Sequence, residues 1–514
     1  MTTRVTTRLG ELEGTRADGV FSFKGVPYAA PPVGALRFAP PRRAERWTGV
    51  RAATTYGATA PQTPPAGPAV QMFEPVVSPG EDCLNLNVWT PDPGAVGLPV
   101  LLWIHGGGFQ IGAGSDPIYD GAAFARDGVV LVTINYRLGT QGFLYVEGAD
   151  GAGNFGLLDQ VCALEWVQEH IDAFGGDPAN VTVAGESAGG MSVGALLAAP
   201  AARGLFRRAI AQSGAAHNGI IASTAALVAH RVGEALGVDP HDVEALRVVP
   251  LPRLLAVEEE IAKGCLARQE PMFAELMLTA TPMAFQPVYA GAVLPERPID
   301  AVRNGSAAGI DLLVGTVAEE LQGVLNINPD LLGLEVGADL PSQVVELMAA
   351  VAMAPAGRDP QHVVSAYRDG RSRASNLDLL GALLTDWTFR IPAIRLAEAH
   401  VAHGTVRTYE LGWAGGGADG RWGAGHALDL PLVFDTCDSE LGRWLAGDAP
   451  PRELVDSMHR AWVGFATTGD PGHDALPAWP TYDTVRRATM RFDIPCDLID
   501  DPAGLERSLW EGAL

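Results

Sequence analysis

Five residues constrain this chain more than any others: Gly185-Glu186-Ser187-Ala188-Gly189. A β-branched run, Val181-Thr182-Val183-Ala184, precedes them, and a small-residue stretch expected to be helical, 190–197, follows. This is the context of a Gly-x-Ser-x-Gly nucleophile elbow. The turn is so tight that side chains at the two glycine positions would clash. It holds the serine on a strained backbone, above the edge of a sheet and near a helix N-terminus. A small-residue turn with an ordinary serine has the same five-residue pattern. The strand before and the helix after separate the two cases.

The surrounding pattern supplies that sheet. Residues 99–104 (Pro-Val-Leu-Leu-Trp-Ile) and 129–134 (Val-Val-Leu-Val-Thr-Ile) read as strands buried on both faces. Residues 119–127 read as a short helix between them. A longer helix is expected over 157–174, stopped by Gly175-Gly176-Asp177-Pro178. Continuous apolar strands alternating with helices imply a mainly parallel α/β sheet covered on both faces. Residues 6–23 alternate like antiparallel hairpin strands. After about residue 220 the pattern turns mostly helical, as in 344–353 and 377–384. Such helices are expected to pack over the carboxyl edge of the sheet, where ligands bind in folds of this class. No internal repeat or long linker is visible. The glycine-rich loop 415–425 and the proline-rich stretch 61–79 read as loops within one domain, 1–514.

A second glycine motif follows the first of those strands: His105-Gly106-Gly107-Gly108-Phe109. Consecutive glycines let backbone N–H groups turn toward one point with no side chain in the way. That suits an oxyanion hole, which needs rigid donors aimed where negative charge develops. Gly107 and Gly108 are the candidate donors, with the N–H of Ala188 as the third. A phosphate cradle is the other use of such a turn, but no Walker lysine follows. His105 reads as structural.

Composition excludes several classes. With 514 residues, 47% hydrophobic and 19% charged, the chain can bury a large core and is not disordered. Its net charge of −24 argues against nucleic-acid binding and against a polybasic membrane surface. No apolar run reaches the ~18 residues of a membrane span. The first 14 residues lack the apolar core of a signal peptide. Only two lysines occur, Lys24 and Lys263, the other 34 basic residues being arginine. That bias fits GC-rich coding better than anion recognition. The five cysteines, Cys83, Cys162, Cys265, Cys437 and Cys496, form no metal-ligand pair and no disulfide framework. A reducing, cytoplasmic setting is expected.

The two glycine motifs stand in the order of an α/β-hydrolase, which then requires an acid and afterwards a histidine. Here the chain resembles the type-B carboxylesterases, the cholinesterase and carboxylesterase family, in their bacterial branch. The resemblance runs nearly end to end. It is carried by Phe23-Lys24-Gly25-Val26-Pro27-Tyr28-Ala29, Glu81-Asp82-Cys83-Leu84-Asn85-Leu86-Asn87-Val88, Asn135-Tyr136-Arg137, Gly153-Asn154-Phe155-Gly156-Leu157-Leu158-Asp159-Gln160 and the elbow. It implies an α/β-hydrolase fold with largely helical insertions, roughly 220–300 and 320–410, shaping a substrate gorge.

By the same resemblance His426, in Gly425-His426-Ala427-Leu428-Asp429, is the general base. His400, His403 and His459 read as surface or packing residues. The acid falls in Gly315-Thr316-Val317-Ala318-Glu319-Glu320-Leu321, where register gives Glu320 and leaves Glu319 as its neighbouring rival. Val317, Glu319 and Leu321 depart from the family pattern. The resemblance also implies internal salt bridges of Arg37 with Glu81 and of Arg137 with Asp159. It places Ser213 and Asp429 near the histidine. Glu186 either favours the imidazolium by its charge or bonds the loop around it. Phe109, Phe73, Trp422 and Leu428 are candidate pocket walls. Ala60 stands where extracellular members carry a cysteine, so Cys83 is expected to be a free buried thiol.

The reading is a serine carboxylesterase using Ser187, His426 and Glu320, with no metal or cofactor. Its partner is a small-molecule ester, with no nucleic acid and no membrane, acting as a monomer or homodimer. An amidase, carbamate hydrolase or lipase would use the same triad. A non-catalytic scaffold of the same family would lack part of it. A hormone-sensitive-lipase-like enzyme shares His-Gly-Gly-Gly, but chain length and the Glu-Asp-Cys-Leu segment argue against it.

Overall fold

The computed structural model describes residues 2–63, 77–266, 276, 283–328 and 340–514. Its apolar runs form the centre of one thirteen-stranded sheet. The parallel part has the spatial order Val130–Ile134, Leu98–Ile104, Gly176–Glu186, Arg208–Gln212, Asp311–Val317, Val406–Leu411, Ala488–Phe492. Next to Val130–Ile134 the sheet continues antiparallel through Asn85–Thr90, Val20–Pro27, Glu11–Ala17 and Thr2–Thr6. The hairpin pattern at 6–23 is thus the sheet's outer flank. Asp497–Asp500 closes the other edge, also antiparallel.

Strand alternation divides the core. Val100, Leu102 and Ile104 enter one apolar cluster, while Leu101 and Trp103 enter a second on the opposite face. Both faces are therefore covered, as the unbroken apolar runs require. Phe155–His170 and the fully buried Ala188–Ala198 are the helices nearest the elbow. The later part of the chain supplies Ala222–Leu236, Leu251–Leu266, Ser342–Met353, Pro360–Asp369, Asn376–Thr385 and Ile391–His400. Several of these build a third cluster of their own around Met353, Tyr367 and Trp510.

Of the two expected salt bridges, one forms. Arg137 and Asp159 are buried and meet in a forked contact, with Nη2–Oδ1 at 2.7 Å and Nε–Oδ2 at 2.8 Å. Arg37 instead donates to the carbonyls of Arg247 and Val249, at 3.2 and 2.7 Å. Glu81 is exposed, and among the described residues Arg37 makes no ion pair. The two carbonyls hold Nη1 alone, and Glu81 acts on Arg37 by its charge from beyond ion-pair distance, which is worth little for a carboxylate in water.

All five cysteines are free, Cys83 and Ala60 both buried. Burial pushes the Cys83 thiol up to about 12, so it is inert as a nucleophile. His400 and His459 are buried packing residues, bonded through ring nitrogens to the carbonyls of Ile310 and Val433. The two lysines differ in setting. Lys24 is half-buried, its Nζ 4.1 Å from the centre of the Tyr56 ring. Lys263 stands out from Leu251–Leu266 with its side chain 67% exposed. Among the described residues no helix is long and apolar enough to cross a membrane.

Candidate active site

Ser187 occupies the single step between strand Gly176–Glu186 and helix Ala188–Ala198. Its φ is 55° and its ψ −124°, a conformation that costs a side-chain-bearing residue about 1–3 kcal/mol. The surrounding structure enforces it. Ser187 N–H donates to the Gln212 carbonyl of the next strand at 2.9 Å. A Cβ on Gly189 would overlap the Ile104 carbonyl oxygen, so only glycine lets the helix start this close to strand Leu98–Ile104. Ser187 keeps part of its surface exposed, while its neighbours Glu186 and Ala188 are buried.

The glycine loop after Leu98–Ile104 lies against this elbow. A Cβ on Gly106 would come within 3.1 Å of Ser187 Cβ. Gly107 and Gly108 take φ of 105° and 60°. Among the described residues, no hydrogen bond outside helices and strands is donated by either of their N–H groups. Ala188 N opens the buried helix Ala188–Ala198, whose N-terminus carries partial positive charge toward the same place. His105 is enclosed, stacks on Tyr136 at 4.5 Å and bonds the Gly106 carbonyl through Nδ1. Burial lowers it to about 4, so it stays neutral.

Glu320 and His426 meet although 106 residues separate them. Strand Asp311–Val317 ends in a turn that gives two successive carboxylates different partners on the histidine loop. Glu320 is fully buried, and its Oε2 lies 2.6 Å from His426 Nδ1. Its Oε1 accepts from Val317 N–H at 3.1 Å. Glu319 is exposed and accepts from Ala424 N–H at 3.1 Å, tying down the loop that carries the histidine. The rivalry between the two is thus one of direction, and only Glu320 faces the ring.

The other ring nitrogen of His426, Nε2, lies 3.1 Å from Glu186 Oε1. The contact is one of charge, off the line of a hydrogen bond. Burial raises Glu186 above the usual carboxylate range, with the His426 charge opposing. Burial alone would lower His426, but the Glu186 charge and the Glu320 hydrogen bond outweigh it and raise the ring. Asp429 is buried one turn on. It accepts from Gln212 Nε2 and from the Tyr409 hydroxyl, both at 2.9 Å, and Trp462 Nε1 donates to Gln212 Oε1 at 2.8 Å. Burial pushes Asp429 up to about 6. Ser213 is buried beside Gln212 at φ 44°, but its Oγ reaches neither His426 nor Asp429.

Of the candidate pocket walls, Phe109, Trp422 and Leu428 have no exposed surface. Trp422 Nε1 donates to the His426 carbonyl at 3.2 Å, so it braces the histidine loop. Phe73 lies outside the described residues. One neighbour escaped the sequence reading: Phe389 packs its ring 4.8 Å from that of His426. Nothing local marks it, since it stands in a helical stretch 37 residues upstream. Among the described residues no group of three or more His, Cys, Asp or Glu is placed to hold a metal ion.

The elbow, the glycine loop, the acid turn and the histidine loop all follow the carboxyl ends of parallel strands. A sheet of this order with a serine elbow at its centre is the α/β-hydrolase fold. A solved carboxylesterase of Geobacillus stearothermophilus superposes with a TM-score of 0.85 at 37% identity, over 99% of this chain and 100% of that one. The carboxylesterase family profile matches residues 1–502. The chain is 39% identical over 508 residues to the para-nitrobenzyl esterase of Bacillus subtilis (strain 168), covering 98% of this chain and 97% of that protein. It is 36% identical over 515 residues to the phenmedipham hydrolase of Pseudarthrobacter oxydans, covering 97% and 95%. The chain belongs to the carboxylesterase family, and it is a serine carboxylic ester hydrolase.

Proposed function

We propose that Ser187 is the nucleophile, His426 the general base and Glu320 the acid that orients it. The 2.6 Å contact between Glu320 Oε2 and His426 Nδ1 carries this reading, because it leaves Nε2 on the side of Glu186, the residue before Ser187, at 3.1 Å from Glu186 Oε1. His426 takes the Ser187 proton as Oγ attacks the ester carbonyl. The N–H groups of Gly107, Gly108 and Ala188 hold the oxyanion. His426 then protonates the leaving alcohol and activates the water that releases the acid. No cofactor takes part. Helices Ala222–Leu236, Leu251–Leu266, Ser342–Met353, Pro360–Asp369, Asn376–Thr385 and Ile391–His400, within the expected insertions of roughly 220–300 and 320–410, are the proposed walls of the gorge, and Phe389 backs the base.

The substrates proposed are short- to medium-chain acyl or aryl esters. The site of action proposed is the cytoplasm, supported by five free cysteines in a family whose extracellular members pair theirs. Hydrolysis of p-nitrophenyl esters from acetate to palmitate tests the substrate class. Turnover is expected to be fastest on short chains. A maximum at long chains would make the enzyme a lipase. No turnover on any ester, with turnover of an anilide or carbamate, would make it an amidase or carbamate hydrolase.

Two substitutions test the assignments around the base. Glu320→Ala is expected to lower kcat by about 10³–10⁴-fold, and Glu319→Ala by less than about threefold. Steady-state kinetics on one ester compares them, and equal losses would remove Glu320 from its role. The second concerns pH. A rise in pH takes the proton from the His426–Glu186 pair and frees the base, so kcat/KM rises with pH across that titration. Glu186→Gln removes a facing charge and so moves this acidic limb to lower pH, by about one unit. A kcat/KM–pH profile with an unmoved limb would show that Glu186 only bonds its loop.

A further inference from the structure

One buried carboxylate has no part in the machinery above. Glu258, on helix Leu251–Leu266, is 6% exposed. Among the described residues it bonds one threonine alone. It accepts from Thr140 N–H at 2.8 Å and from the Thr140 hydroxyl at 3.2 Å. Burial pushes it up to about 7, with the Thr140 bonds acting against the shift. A buried carboxylate facing only neutral donors is costly, and an apolar side chain at that position would avoid the cost.

The carboxylate sits where it can govern the glycine loop. Gly139 has φ 50°, and a Cβ there would overlap both oxygens of Glu258. The carboxylate thus fills the space beside Gly139 while it bonds the next residue. Gly139 N–H donates in turn to the Phe109 carbonyl at 2.7 Å. Phe109 directly follows Gly108, takes φ 61°, and packs 4.9 Å from Phe143, the last residue of Gly139–Phe143. Gly107, Gly108 and Phe109 all carry positive φ. Within the turn the Gly107 carbonyl accepts from Gln110 and Ile111 N–H, and the Gly139 bond to Phe109 adds a hold from outside it.

We infer that Glu258 is a positioning residue for the oxyanion loop. It pins the Gly139-Thr140 turn, and Gly139 pins Phe109 and so the end of the loop. The inference rests on the proposed donors Gly107 and Gly108. It makes helix Leu251–Leu266 a part of transition-state stabilisation, though it contributes no triad residue.

The test compares Glu258→Ala, Glu258→Gln and Glu258→Asp by kcat, KM and inhibition by an alkyl trifluoromethyl ketone. Ser187 adds to that ketone, and its carbonyl oxygen becomes an oxyanion. Glu258→Ala is expected to lower kcat about tenfold with KM within twofold, and to weaken the ketone by the same factor. Glu258→Gln keeps an oxygen for Thr140 N–H and is expected to restore both to within about twofold of wild type. Glu258→Asp draws the oxygens back by one methylene and is expected to lose kcat like the alanine variant. It decides the matter if Glu258→Ala does not fold. Folded alanine or aspartate variants with unchanged kcat and ketone inhibition would overturn the inference, as would a glutamine variant as impaired as alanine. A wild-type enzyme indifferent to the ketone would instead remove the oxyanion reading beneath it.

Discussion

Ser187→Ala is expected to lower kcat/KM on p-nitrophenyl esters at least about 10⁴-fold while leaving the fold intact. Without Oγ no acyl-enzyme can form, and only binding and the oxyanion donors act on an attacking water. The stability side is as specific. Alanine keeps a Cβ at φ 55°, so the elbow strain persists and the melting temperature stays close to wild type. Ser187→Gly removes the Cβ and relieves that strain. It is expected to be about 1 kcal/mol more stable than Ser187→Ala and equally inactive. Thermal unfolding of the three proteins measures the strain directly. A glycine variant no more stable than the alanine one would mean that the turn stores none, and residual turnover near wild type in either would move the nucleophile elsewhere.

The largest stability effect is expected at Arg137→Met, about 3–5 kcal/mol. The guanidinium holds Asp159 through two side-chain bonds and also donates to the Ala39 carbonyl at 2.7 Å. Burial raises Asp159, with Arg137 opposing, so loss of the arginine leaves an unpaired acid in the core. The double variant Arg137→Met with Asp159→Leu is expected to recover much of the loss, since an apolar pair of similar volume removes both desolvation costs. Urea unfolding of the single and double variants checks this. A single variant within about 1 kcal/mol of wild type would show that the pair contributes as little as a surface ion pair.

Much of this was legible along the chain, for reasons that differ by element. The elbow and the glycine loop are local: their glycines, strand and helix are adjacent in sequence, so spacing alone exposes them. The strands at 99–104 and 129–134 were visible because burial on both faces leaves an unbroken apolar run. Glu320 was less legible. It shares a turn with Glu319, and only the direction of the chain after Val317 separates the side facing His426 from the side facing Ala424. The supporting groups were hidden. Gln212, Tyr409 and Trp462 acquire a role only when three elements converge on Asp429. Glu258 meets Thr140 across 118 residues, and no pattern within either segment announces the other. Arg37 shows the reverse failure, where a paired-charge expectation gave way to backbone carbonyls that carry no side-chain signature.

The scarcity of lysine gives helix Leu251–Leu266 a practical use. Lys263 offers an exposed amine, ion-paired with Glu259 one turn back, whereas Lys24 is half covered by aromatic rings. Apart from the chain's α-amino group, an amine-directed dye or a solid support should therefore attach first at Lys263. That point lies five residues from Glu258, just over one helical turn. A fluorophore there becomes a reporter on the helix that steadies the glycine loop, with no cysteine to engineer. A bead coupled there tests whether restraining that helix from outside changes turnover inside.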